Sequence, residues 1–242
     1  MLGRLISALF STLIPPKDRS ILFVAATRLG EPDFYTQTHT GRWLKKRPHL
    51  ARRIYFNNSK GLSSVYNDAL RNAKASDILV FVHDDVWIEE PRFPEAIFNG
   101  LRRFDVLGIA GNKRRQANQY IWFLKPEEDG LLVWDSEHLS GSVMSGDLRQ
   151  PAKSVYGNSP APCELMDGVI FIARAGTLKK KGVMFDEAFD FHFYDLDFCR
   201  TSRAKGLKLG TWPLEIFHAS PGAYNSDGWR RNRDIYQRKW GS

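Results

Sequence analysis

The chain has 242 residues, 43% of them hydrophobic and 13% aromatic, enough to bury a substantial core in one domain with room for an appendage. Its 35 Lys and Arg against 27 Asp and Glu give a net charge of +8 and a pI near 9.5, a balance suited to anionic partners such as nucleotide diphosphates or anionic lipid surfaces. The densest basic clusters, Lys179-Lys180-Lys181 and Arg230-Arg231-Asn232-Arg233, are short and come with no nucleic-acid motif, so no nucleic-acid partner is expected; Cys163 and Cys199 fall in no disulfide or zinc spacing, which fits a reducing cytoplasm.

Leu2, Leu5, Ile6, Leu9, Phe10 and Leu13 recur at helical spacing, so residues 1–17 read as an amphipathic N-terminal helix. It is too short to span a bilayer and has no small-residue cleavage site, leaving either a helix packed on the domain or a peripheral contact with a membrane. Residues 20–26 then form a continuous apolar run, a buried first strand closed by Thr27 and Arg28. Residues 34–46 read as helical and residues 53–56 as a second strand ending in the turn-forming Asn57-Asn58-Ser59. Leu62, Val65, Tyr66, Ala69 and Ala73 keep helical spacing and lead directly into the buried strand Ile78-Leu79-Val80-Phe81-Val82.

This alternation predicts an α/β fold with right-handed crossovers, a mostly parallel central sheet flanked by helices, and ligands beyond the carboxyl ends of the strands. Thr27, Arg28, Asn57, Asn58 and His83-Asp84-Asp85 therefore share one rim. Further on, residues 94–104 read as a helix, 106–110 as a strand, 112–162 as loop, 168–173 as a strand, and 194–205 as a helix closed by Gly206. The main domain is expected over residues 18–222, followed by a tail at 223–242 packed near the active site.

Three groups carry chemistry. Asp84 and Asp85 repel each other at the exposed end of a buried strand, and either a bound divalent cation or a solvated, capped turn accounts for them. Phe185-Asp186-Glu187 and Phe191-His192-Phe193-Tyr194-Asp195-Leu196-Asp197 interleave acids with large aromatics, consistent with a partly enclosed pocket or, at Asp195, with an ordinary helix cap. Ile216-Phe217-His218 delivers a histidine into the turn Ala219-Ser220-Pro221-Gly222, as a ligand or as a hydrogen-bonded structural residue.

Taken in order, Gly61 to Asn67, the strand into His83-Asp84-Asp85, the strand after Asp167-Gly168, Phe185-Asp186-Glu187, Tyr194-Asp195-Leu196-Asp197 and His218 resemble glycosyltransferase family 2, whose members have the Rossmann-like GT-A fold. The resemblance runs over roughly residues 20–222 and implies an inverting, metal-dependent transfer from a nucleotide-diphosphate sugar to a glycan or glycolipid acceptor, in cell-envelope polysaccharide or glycolipid synthesis. It implies Asp195 as catalytic base, Asp85 and His218 as ligands for Mn²⁺ or Mg²⁺, Thr27, Arg28, Asn57, Asp84 and Asp85 on the donor, and Asp167, Gly168 and Tyr194 on the acceptor side. Trp229, Arg230 and Arg233 could close over the donor. Two positions depart from the family pattern: His83 replaces the first acid of Asp-x-Asp, and Tyr194 replaces a Glu before the base. A metal-dependent phosphohydrolase would want the same acids and histidine, and a non-catalytic nucleotide- or glycan-binding domain would tolerate the departures.

Overall fold

The computed structural model describes residues 20–128, 131–220, 222 and 224–241; the expected helix at residues 1–17 lies outside the described residues. Three apolar runs build the centre. Ile21–Ala26, Ala51–Tyr55 and Ile78–Val82 pair in parallel, the first between the other two. Helical crossovers join them, Glu31–Gln37 with His39–Lys45 and then Leu62–Asn72. Ile170–Arg174 docks antiparallel on Ile78–Val82, and the sheet continues through Val106–Gly108 and Leu209–Thr211 to Ala161–Pro162, seven strands in all.

The α/β class expected from the sequence is what forms, although the sheet is mixed, parallel at three of its six pairings. Ile170–Arg174 arrives directly from Leu165–Met166 in a second sheet, with no crossover helix to turn the chain parallel. Burial alternates with the pleat. Leu79, Phe81, Phe171 and Ala173 face one core with residues of Leu62–Asn72 and Tyr194–Ala204, while Ile78, Val80, Val82, Ile170 and Ile172 face another with Phe34, Trp43, Leu44 and Ile97. Each fully buried large side chain of this kind contributes roughly 2 kcal/mol.

The second sheet runs Leu165–Met166, Ala110–Asn112, Leu139–Asp147, Ile216–His218, Val86–Ile88, with Gln150–Gly157 paired to Leu139–Asp147 as a long hairpin. Much of it comes from residues 112–162, read above as loop. That reading is corrected, because Gln150–Gly157 is almost wholly exposed and shows no apolar alternation, so backbone pairing alone makes it a strand. The expected helix at 34–46 breaks at Thr38, whose extended backbone and side-chain bond to Gly41 N start a new helix. The expected strand at 106–110 divides at Ile109, one half in each sheet. Two helices add to the sequence reading. Ala175–Lys181 places Lys179, Lys180 and Lys181 in its last turn, where the helix dipole favours cations, and Asp227–Trp240 forms the tail, capped by Ser226.

Candidate active site

The turn after Ile78–Val82 is held from below by one side chain. Thr40 Oγ1 bonds His83 O at 2.6 Å and Val86 O at 2.8 Å and accepts from Val86 N, while Thr40 N donates to Asp84 O. Val86–Ile88 then pairs antiparallel with Ile216–His218, setting His218 opposite Val86. Strand register, rather than proximity in sequence, thus brings His218 to the acid turn. Ligating atoms of His83, Asp85 and His218 all lie within 4.8 Å of one another. His218 Nε2 is 3.3 Å from Asp85 Oδ1, and that oxygen is buried without making a hydrogen bond among the described residues.

Burial alone would raise the Asp85 carboxyl, but His218, His83 and Ser220 outweigh it and hold Asp85 well below the usual carboxylate range. Burial, then the neighbouring His218, lowers His83; burial would lower His218 too, but Asp85 raises it. A carboxylate held ionised between two imidazoles, one with its charged form disfavoured, is a donor set that suits a divalent cation. Burial raises Asp84 against the opposing pull of Thr27, and Arg28 also lowers it, so these rim residues face one another. Thr27 is buried and knits the strand ends, its amide bonding Tyr55 O and its carbonyl accepting from Asn58 N. Asn57 holds a left-handed backbone at φ 49 beside it.

On the opposite side of the turn stand the expected base and acceptor residues. Gly168 packs so tightly that an added Cβ would lie 2.5 Å from the Tyr194 hydroxyl and 2.6 Å from Asp195 Cβ. Its amide donates to Asp195 Oδ2 at 3.2 Å and its carbonyl accepts from Tyr194 at 2.6 Å. The tyrosine hydroxyl also lies 2.8 Å from His83 Nε2. With its one proton on Gly168 O, the hydroxyl accepts from His83, which sets the neutral ring as the Nε2–H tautomer and leaves Nδ1 as its lone pair. Tyr194, expected on the acceptor side, lines the cleft; it is buried, and its hydroxyl, bonded to Gly168 and His83, links the Asp195 segment to the His83, Asp85 and His218 group.

Asp195 is half-buried, and burial, then the nearby Asp167, pushes it up to about 7. Asp167 is fixed by Trp122 Nε1 and by Val169 N. In the tail, Arg230 pairs with Asp227 and Arg233 with Asp234. Trp229 is buried against Phe193 and Tyr120, bracing the residue that precedes Tyr194. A cleft of about 480 Å³ opens from His83 and His218, past Asp167 and Asp195, to a wall of aromatic rings including Trp122, Trp134, Tyr156 and Tyr224. The sequence reading did not find Thr40 or these aromatics. Thr40 carries no recognisable pattern, and the rings come from segments that read as loop or tail.

A family model described as Glycosyltransferase like family matches residues 50–230, most of the chain. The chain belongs to that glycosyltransferase family. The matched segment includes the Asn57 turn, the His83-Asp84-Asp85 turn, Asp167-Gly168, Asp195 and His218. No curated protein matches the sequence. Among solved structures, this glycosyltransferase-family chain is similar to A197 from STIV, at 12% identity and TM-score 0.47 over 82% of this chain and 85% of that one. It is similar to S. aureus TarS 1–349 in complex with UDP, at 17% identity and TM-score 0.43 over 83% of this chain and 60% of that one. It is also similar to GalNAc-T7 with UDP, GalNAc and Mn²⁺, at 11% identity and TM-score 0.49 over 90% of this chain and 48% of that one. The chain thus spans only about half to three fifths of the last two. Among the described residues no helix is long and apolar enough to cross a membrane.

Proposed function

We propose that this family member is an inverting glycosyltransferase of the GT-A type that moves a sugar from a nucleotide-diphosphate donor to an acceptor hydroxyl. The observation that carries the reading is one cleft lined by His83, His218 and Asp195, with Asp85 grouped beside the two histidines and with Gly168 and Tyr194 tying that group to Asp195. The donor lies along the rim formed by Thr27, Arg28, Asn57 and Asp84, so its anomeric carbon faces the cleft. The acceptor lies against Asp167 and Gly168. Asp195 takes the proton of the acceptor hydroxyl as its oxygen attacks the anomeric carbon, and the bond from that carbon to the diphosphate breaks on the opposite face, inverting the centre. A carboxyl raised toward neutrality is a better proton acceptor than an ordinary aspartate, which suits a hydroxyl that becomes acidic only as the new bond forms.

His83, Asp85 and His218 would hold Mn²⁺ or Mg²⁺, two imidazoles favouring Mn²⁺, and such an ion supplies charge stabilisation for the departing diphosphate. Gly168 N fixes the Asp195 carboxylate, and Tyr194 fixes the His83 ring. The acceptor is a glycan or glycolipid, and the basic balance of the chain suits peripheral contact with the inner face of a membrane during cell-envelope synthesis.

Thermal unfolding against a panel of nucleoside diphosphates, each with and without Mn²⁺, tests the reading. One nucleotide should raise the midpoint only with Mn²⁺, and Asp85→Ala should abolish that rise. A well-folded protein silent to every nucleotide would sink it.

A further inference from the structure

We infer that the acceptor held beside Asp195 is an uncharged saccharide whose rings stack on an aromatic wall formed by Trp134, Tyr156 and Tyr224; this rests on the transferase reading and deepens it. The exposed large hydrophobic residues among the described ones are Leu131, Trp134, Val155, Phe191 and Tyr224. Trp134, Phe191 and Tyr224 line the active-site cleft, whereas Leu131 does not and Val155 lies on the opposite face of its strand from the lining residues Ser154 and Tyr156. All three exposed aromatic rings are therefore gathered at one place, where a ligand is expected to cover them.

The rings are also held in place before any ligand arrives. Trp134 is 55% exposed, yet it lies near-parallel to Tyr156, at 15° with centroids 6.4 Å apart, and against Phe123 at 4.8 Å. Tyr224 meets Phe123 edge-on at 6.1 Å. A fixed, open ring face beside hydroxyl-bearing Ser145 and Ser154 matches a sugar, which has a C–H face to stack and hydroxyls at its edge. An alkyl chain would be served equally well by aliphatic side chains and has no use for ring planes or polar edges.

Charge decides the rest. The chain carries 35 Lys and Arg, but among the described residues none lines this cleft; its basic side chains are the imidazoles of His83, His192 and His218, two of which belong to the cation group. Asp167 and Asp195 face the same space. A phosphate, sulfate or uronate on the acceptor near the reacting hydroxyl would be drawn out of water toward two carboxylates with no guanidinium or ammonium to receive it. A neutral sugar has no such cost.

Tryptophan fluorescence of the full chain, titrated without donor, tests the inference. The probes are neutral gluco-, manno-, galacto- and chito-oligosaccharides, the same backbones bearing uronate or sulfate, and phosphatidylglycerol vesicles. The same samples receive nucleoside diphosphate with Mn²⁺ and are followed by thermal unfolding, so the donor site is read separately. The expected result is binding of a neutral oligosaccharide, with its acidic counterpart at least about tenfold weaker. Trp134→Leu and Tyr224→Leu should each weaken binding about tenfold, while Trp134→Phe retains most of it, since a ring and not merely an apolar side chain is required. Both positions are exposed, so the midpoint of unfolding should not move. No binding of any neutral oligosaccharide, equal or tighter binding of the acidic ones, full binding by Trp134→Leu, or displacement of the bound saccharide by the vesicles would each overturn the inference. Saccharide binding with silence toward every nucleotide would leave the inference standing and remove the transferase reading.

Discussion

Asp195 gains its character from what surrounds it, burial first and the Asp167 carboxylate second, and at about 7 it changes protonation in the neutral range. In the proposed role of base it must be ionised, so kcat/KM should climb with pH through about 7 and flatten above it, which a pH–rate profile reads directly. On stability the same shift has the opposite sign. The unfolded carboxyl loses its proton near about 3.9, while the folded one keeps it to about 7; the folded state binds more protons in between, and stability falls as pH rises across that window. Asp195→Asn should therefore lower transfer by about 10²- to 10⁴-fold while raising the unfolding midpoint at pH 8 more than at pH 5. Equal shifts at the two pH values would show that the carboxyl is not perturbed by its surroundings. At Tyr194 and His83, the two departures from the family pattern compensate each other geometrically, since each ring satisfies the other through the hydroxyl-to-Nε2 contact.

Among the elements, Tyr194–Ala204 stands out because no side chain caps its start, and the residue before it, Phe193, has a left-handed backbone at φ 66 that a bulky residue adopts only under constraint. Trp229 and Tyr236 of Asp227–Trp240 pack on that ring at 5.3 Å and 5.4 Å. Lys239 and Trp240 lock the same helix down by meeting the fully buried Asp197 carboxylate at 2.8 Å and 2.6 Å. The tail thus sets where Asp195 points. Lys239→Met should cost about 2–3 kcal/mol in denaturant unfolding, because it leaves Asp197 buried with one neutral donor, discounted for the partial exposure of Lys239. Gly168→Ala tests the other side of the base. The added methyl collides with Tyr194 and Asp195, so a loss of about 1–3 kcal/mol is expected, with transfer falling well beyond what the remaining folded fraction explains. Full activity in that variant would mean that the strand and helix can part without consequence.

For the molecule as a whole, legibility tracked whether a feature is local. Ile21–Ala26 and Ile78–Val82 were readable because strands covered on both faces must be apolar throughout, and the rim that follows them was readable because polar residues mark where burial stops. Gln150–Gly157 was not, since an exposed hairpin strand carries no burial pattern, and with it went Tyr156; Trp134 and Tyr224 were missed in segments that read as loop and tail. Asp85, Asp195 and His218 could each be named from sequence order and family resemblance, but His83 stood there only as a departure, and it joined the cation group once its distances to Asp85 and His218 were known. The sequence alone determined the α/β elements, the identity of the acids and histidines, and the family, since periodicity, turn chemistry and ordered motifs are properties of neighbouring residues. The tertiary structure decided which of those residues meet, the commitment of Tyr194 to His83, the raised Asp195 carboxyl and an aromatic cleft that no Lys or Arg among the described residues lines, because strand register and burial depend on segments far apart in the chain.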